Sequence, residues 1–438
     1  MNLEFIQTLR DIIENNMERT PETGSPRSLR VQMVDKHISI YMGVRRCGKS
    51  TLMEARMAEL IAAGVPRENI VWLNFADPRL YPLRAAQWEA LHTAYYGKYP
   101  DKRLKEKVYF FFDEIQDIPG WETFVEWLRR DELCDIYITG SSAKLLSKEI
   151  ATTLRGRTLS WELFPFSFRE FFVRCGGNPQ GRGTTHRLMV RKAWQRYRTE
   201  GGFPEVFGLE ENLRRHLHSE YMNAMLLRDV IERYEVKQPH VLRHLATRAL
   251  NGIGTLFSHR KAETELRELG INLRREHIAQ YMQWFEDAYF IFSVPRYTPS
   301  IAKQAREFNK LYCIDHAMAA SLSAGILRNR GQQLENIVFL ALRRLTPDVY
   351  YYKTDKGYEV DFLALQRETE RKWMVQVSET IDDARTRQRE IRALADAMAE
   401  THTQEAWLVT DAARDEISIP EGTIHVIPAP DFLLQLPE

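Results

Sequence analysis

Cysteine is scarce in this chain: there are four in 438 residues, at positions 47, 134, 175 and 313. They lie far apart and none falls in a metal-binding spacing, so reduced thiols in a cytoplasm are the expected state. An excess of charge of either sign is also missing. Lys and Arg number 61 against 60 Asp and Glu, for a net charge of +1. No global field then draws the chain to nucleic acid or to a membrane, although a local basic patch stays open. No apolar run approaches the roughly 18 residues that a membrane-crossing helix needs, so no span is expected. Residues 1–20 interrupt their apolar positions with Glu4, Arg10, Asp11 and Glu14, which fits an amphipathic helix rather than a secretory leader. The remaining composition, 44% hydrophobic and 28% charged, is that of ordinary globular domains. Length alone suggests about three of them.

The most informative residues present are Gly43, Val44, Arg45, Arg46, Cys47, Gly48, Lys49, Ser50 and Thr51. They follow an apolar strand candidate at 37–42 and open a helical stretch at 52–63. A strand feeding a glycine-rich turn that opens a helix aims free N–H groups and the positive helix end at one spot, where phosphate oxygens bind. The two glycines permit the tight turn. Lys49 is placed to reach the β- and γ-phosphates, and Ser50 to hold Mg²⁺.

A matching acidic strand stands at 108–114, Val-Tyr-Phe-Phe-Phe-Asp-Glu. An apolar run ending in adjacent carboxylates reads as a buried parallel strand with its acids at the ligand-binding edge. Asp113 is expected near the metal. Glu114 is expected to orient and deprotonate the attacking water, which argues for hydrolysis rather than a bare switch. A further strand candidate at 135–139 leads into Gly140-Ser141-Ser142. Thr139 or Ser141 could there sense the γ-phosphate or hold the water, the alternative being a plain turn with a helix cap. Arg155 and Arg157 are candidates for a transition-state clamp. Such an arginine can be supplied by a neighbouring subunit, which implies a homo-oligomer.

Three segments follow. Residues 1–207 alternate strand and helix, with further strand candidates at 69–75 and 160–163, so a parallel sheet covered by helices on both faces is expected. Residues 208–300 are helix-rich. Helix candidates at 260–269 and 273–288, split by Gly270, precede a strand at 289–294, the order of a winged helix-turn-helix. Arg274, Arg275 and His277 open its second helix, so the 258–294 segment carries two readings, DNA binding or a structural and protein-partner role. Residues 301–438 read as a second α/β unit, with a helix at 332–344, strands at 349–352, 359–365, 373–377 and 406–409, and a charged helix at 381–399. The fold class is thus α/β: a P-loop sheet, then a winged-helix-like segment, then a C-terminal α/β domain.

At this point the first segment resembles an AAA+ ATPase of the archaeal-ATPase kind, on the motifs GVRRCGKST, FFFDEIQ and ITGSS. The whole chain is similar to a widespread group of uncharacterised prokaryotic ATPases, on GGFPE at 201–205, LYCIDHAMAASL at 311–322, QLENIVFLALRR at 333–344 and GYEVDFLAL at 357–365. The resemblance implies ATP, with Mg²⁺, as the nucleotide. It also implies a C-terminal domain with a PD-(D/E)xK nuclease-like fold. Nuclease chemistry of that type needs a helix Glu, a strand-end Asp, then Glu-x-Lys. Glu335 and Asp361 match the first two places, but Gln376 and Ser378 stand at the third, so cleavage is not expected.

Cys47 carries one more expectation. Its place beside Lys49 and loop N–H dipoles predicts a lowered thiol pKa, ready alkylation in the empty protein and protection by ATP; the alternative is a buried, unreactive filler. The sequence reading is a cytoplasmic Mg²⁺-dependent ATPase that drives or gates its C-terminal modules. A slow nucleotide-gated switch binding DNA or protein is the alternative, and an ATP-regulated nuclease stands behind both.

Overall fold

The structure, a computed structural model, describes residues 3–80, 87–140, 154, 156–300, 304, 307–323 and 330–437. The chain divides into two compact units, Met1–Phe164 and Pro165–Glu438. That boundary lies ahead of position 207, where the sequence reading placed it. The reason is local packing. Phe168, Trp194 and Tyr197, on helices Phe168–Arg174 and Gly183–Glu200, pack on one another, and Tyr197 packs on His316, far along the chain in the same unit.

The first unit is built on five parallel strands. These are β1 (Ile38–Met42), β2 (Ile70–Asn74), β3 (Val108–Asp113), β4 (Cys134–Thr139) and β5 (Thr158–Glu162), in the order β2-β3-β4-β1-β5. Side chains alternate across a pleated sheet, so each strand feeds two cores. Ile38, Ile40, Val71, Leu73, Phe110, Phe112, Ile136 and Ile138 point to one face, under helices Leu3–Glu18, Trp88–Tyr96 and Trp121–Asp131. Tyr41, Ile70, Trp72, Phe111 and Tyr137 point to the other, under Met53, Met57 and Leu60 of helix Lys49–Ala62. Phe111 and Tyr137 stack there with ring centroids 4.4 Å apart. Helices therefore lie on both faces, as expected. Helix Lys49–Ala62 stops where Gly64 takes a left-handed φ of 89° and the N–H groups of Gly64 and Val65 return to Ile61 and Leu60. Glycine reaches that conformation without a Cβ penalty.

The second unit carries two sheets. Strands β6 (Leu256–Phe257), β7 (Ile291–Val294) and β8 (Asn309–Cys313) form a small antiparallel sheet in the order β6-β8-β7. Helices His259–Glu268 and Arg275–Asp287 lie between β6 and β7 in the chain. Its central strand comes from beyond residue 300, so the domain boundary read at that position runs through a sheet. The larger sheet holds β9 (Val349–Lys353), β10 (Glu359–Gln366), β11 (Arg371–Val377), β12 (Glu405–Thr410), β13 (Asp415–Ile419) and β14 (Gly422–Pro428), in the order β13-β14-β12-β11-β10-β9. The first three strands are antiparallel neighbours, whereas β11, β12 and β14 run parallel. Helix Ala384–Thr401 places Leu394, Ala397 and Met398 in a core against this sheet. Strands β13 and β14 and the closing helix Ala429–Gln435 add to the elements read from sequence. Among the described residues no helix is long and apolar enough to cross a membrane.

Candidate nucleotide site

Parallel pairing brings the C-terminal ends of β1, β3 and β4 to one edge. Tyr41 of β1 is level with Thr139 of β4, and Phe112 of β3 with Ile138. The loop Gly43–Gly48 leaves β1 at this edge and helix Lys49–Ala62 begins in it. Gly43 has a φ of 147°, and a Cβ there would lie 2.0 Å from the carbonyl oxygen of Leu163. Only glycine fits. Gly48 and Arg46 also take left-handed φ values, 100° and 65°. For Arg46 that conformation is sterically costly, a strain of the kind held at ligand sites.

Three of the predicted side chains converge, and the backbone of a fourth predicted residue joins them. Ser50 Oγ donates to Asp113 Oδ1 at 3.1 Å, and Thr139 Oγ1 donates to the same carboxylate oxygen through a short bond. The Glu114 N–H donates to Thr139 Oγ1 at 3.2 Å. Burial raises the Asp113 pKa above the usual carboxylate value; bonds from Thr139 and Ser50 and the charge of Lys49 oppose this, and Glu114 adds to it. Lys49, only 6% exposed, donates its ammonium to the Gly43 and Val44 carbonyls, both at 3.0 Å. It is folded back over its own loop, where these two carbonyls accept from it. Thr51 is half-buried under Gly24, whose added Cβ would come within 2.5 Å of its methyl.

Val44 and Cys47 are buried, whereas Arg45 and Arg46 are less so. The thiol expectation for Cys47 fails. Burial pushes its pKa above the ordinary value, and the opposing pull of Lys49 and Arg27 does not overcome this. The sequence argument counted dipoles and charge but not desolvation. Arg157 reaches Glu126 at 3.0 Å and is half exposed. Ser141 and Arg155 lie outside the described residues.

Two residues of the site escaped the sequence reading. Arg27 donates to the Cys47 carbonyl at 2.8 Å and to the Phe164 carbonyl at 2.5 Å. Its segment is further tied down by Glu54, which takes bonds from Arg19 at 3.0 Å and from the Glu22 N–H at 2.7 Å. No local motif signals Arg27, because it precedes the first strand in an irregular stretch. Gln116 donates to Glu114, and its place two residues after the acid was the available clue.

The other predicted cluster is also assembled, in the second unit. Glu335 lies on helix Arg330–Leu345, Asp361 on β10 and Gln376 on β11. Gln376 accepts from the Asp361 N–H at 3.1 Å, and Asp361 accepts from the Val377 N–H at 3.0 Å. Ser378 turns away to the Thr380 carbonyl. On the exposed first turn of helix Arg275–Asp287, Arg275 is paired with Glu263 at 2.7 Å.

A family model described as an AAA domain matches residues 35–172. Models of two domains of unknown function, DUF8612 and DUF4143, match 191–330 and 330–432. The uncharacterized protein MJ1544 of Methanocaldococcus jannaschii is 31% identical over 413 residues, covering 92% of this chain and 89% of that protein. The chain belongs to the MJ1544 family. An uncharacterized Haemophilus influenzae protein is also 31% identical, over 75% of this chain and 79% of its own length. Among solved structures, the Walker-type ATPase PABY2304 of Pyrococcus abyssi is similar at 14% identity and a TM-score of 0.43, over 72% of this chain and 95% of that one. The AMPPCP-bound DnaA of Aquifex aeolicus is similar at 12% identity and a TM-score of 0.28, over 65% of this chain and 88% of its own. This MJ1544-family chain thus carries an AAA-type P-loop domain ahead of two domains of unassigned role.

Proposed function

We propose that the protein is a Mg²⁺-dependent ATPase whose nucleotide state gates its C-terminal modules. The observation that carries this reading is the meeting of Ser50 and Thr139 on one oxygen of Asp113, beside Lys49 and Glu114. A hydroxyl and a carboxylate are hard oxygen donors, the type that Mg²⁺ takes while keeping several waters. Ser50 and Asp113 would hold the ion, which neutralises charge on the phosphates when bound. Lys49 would leave the two loop carbonyls for phosphate oxygens, exchanging neutral acceptors for charged ones. Glu114 would take the proton of the attacking water, and Thr139 fixes the direction of the strand end from which it projects. Arg157 or Arg155 would complete the site of a neighbouring copy in a homo-oligomer.

Gating has support from the backbone. The Leu163 N–H donates to the Met42 carbonyl at 2.7 Å, and Arg27 joins the loop carbonyl of Cys47 to that of Phe164. A rearranged loop would therefore be felt at the last residue of the first unit. The C-terminal modules would be read as winged-helix-like and nuclease-like platforms for a DNA or protein partner in the cytoplasm.

The test is steady-state phosphate release from Mg²⁺-ATP by wild type and Glu114→Gln, with and without duplex DNA. Turnover should be present in wild type and lost in the variant, with ATP still bound. ATP bound without turnover in wild type would replace the ATPase reading with that of a nucleotide-gated switch.

A further inference from the structure

The two carboxylates that the sequence reading compared with a metal site, together with Glu359, surround a lysine. Lys310 lies on β8, between its neighbours Leu256 and Val294 in the small sheet. Its side chain enters the cluster formed by the larger sheet and its helix. The ammonium stands 2.8 Å from Glu359, 2.9 Å from Asp361 and 3.3 Å from Glu335. Lys310 is 3% exposed. A buried ammonium is strongly unfavourable unless paired, and here it has three partners.

Two further bonds hold the carboxylates. Tyr312, two residues along β8, donates to Glu335 at 2.7 Å, and Asp361 takes the Val377 N–H. Gly254 closes the cluster from the side: a Cβ there would lie 3.2 Å from Glu335 Oε2. The oxygen distances are those of an ammonium. Mg²⁺ needs oxygens at about 2.0–2.1 Å in a near-octahedral set. With Lys310 in place, no group of three or more His, Cys, Asp or Glu among the described residues is arranged to hold a metal ion.

We propose that Lys310 is a resident cation that takes the place of a divalent metal among Glu335, Glu359 and Asp361, making the larger sheet a closed, non-cleaving platform pinned to the small sheet. The lysine is contributed by a segment that the DUF8612 model matches, while the carboxylates fall in the segment that the DUF4143 model matches. The two would then share one ion-paired joint. A nuclease-like frame would survive here as a binding surface, with its metal chemistry replaced by an internal ion.

The test uses the full chain without nucleotide, in an Asp113→Asn background that weakens the P-loop site as a metal binder. Mn²⁺ is the probe, followed by loss of the free-ion electron paramagnetic resonance signal. With Lys310 in place no Mn²⁺ should bind. Adding Lys310→Met should create one Mn²⁺ site, and adding Asp361→Asn should remove it again. A folded Lys310→Met protein that binds no Mn²⁺ would overturn the proposal. So would Asp361-dependent Mn²⁺ binding, or Mn²⁺-dependent cleavage of DNA, by protein that retains Lys310. Should the Met variant fail to fold, Lys310→Arg keeps the charge. It is expected to fold and to exclude Mn²⁺, and Mn²⁺ binding by that variant counts against the proposal.

Discussion

The side-chain amide of Gln116 donates to Glu114 Oε2 at 2.6 Å, and the carbonyl oxygen of the same amide is buried with no hydrogen-bond partner among the described residues. Glu114 itself sits at a left-handed φ of 55°, so both its backbone and its carboxylate are held. A bond to a charged acceptor contributes about 1.5–3 kcal/mol, enough to fix where a base points. Gln116→Ala should therefore lower the turnover number by about tenfold, a loss of about 1.4 kcal/mol in the barrier difference. The nucleotide dissociation constant should stay unchanged. Paired measurements of kcat and ATP binding check this; an equal loss in both would show a general disturbance of the site.

Cys47 should label slowly with iodoacetamide in the empty protein. Its side chain is buried and burial raises the thiol pKa, so the nucleophilic thiolate is rare. Cys175 is only partly buried and should label first. Mass spectrometry of a labelling time course gives the order directly.

These two residues mark how far the sequence could be read. The strand-loop-helix at 37–63 and the acids that close β3 were legible, because each is a local pattern with a mechanical reason. Thr139 could be narrowed to a neighbour of the acidic strand, and the register then placed it on Asp113. Arg27 and Lys310 were not legible. Each acts on groups distant in sequence, and neither stands in a local pattern that distinguishes it from a surface cation. The pairing across position 300 was hidden for a related reason: β8 supplies the centre of a sheet whose edges lie before it in the chain. Cys47 was misread because burial, which dominates its pKa, has no signature in the sequence.

Asp315 explains two of the motifs. Its carboxylate accepts from the N–H groups of Ala317 at 2.9 Å and Met318 at 2.8 Å, capping helix His316–Leu322. It also accepts from the Gly202 N–H at 2.6 Å, and a Cβ on Gly201 would collide with it. The Gly-Gly turn and the Asp-His pair are thus two halves of one joint. Asp315→Ala should destabilise the second unit by about 3 kcal/mol, since a cap and a buried N–H lose their partner together. Thermal unfolding checks this, with Asp315→Asn expected to fall between the two.

Glu286 gives a pH dependence. Burial raises its pKa to about 7, against lowering by its bonds to Ser293. The unfolded value is near 4.3, so the folded state holds the proton more tightly. Its contribution to stability is then fully present below about pH 4.3 and is lost as pH rises through 7. Between pH 6 and pH 8 this group alone should remove about 1.4 kcal/mol. Urea unfolding at the two pH values should show that loss in wild type and a flatter response in Glu286→Gln.

The order of the first sheet has a consequence for how the site comes into being. β1 carries the phosphate loop, yet its neighbours on either side, β4 and β5, are the last two strands of the sheet in the chain. The first strand synthesised is therefore the last to gain its partners. Asp113 and Thr139 cannot meet Ser50 until β4 has paired with β1, so the group around the Asp113 carboxylate forms late on a growing chain. The bonds that Ser50 and Thr139 make to Asp113 are in this sense a record that β1 has been inserted beside β4.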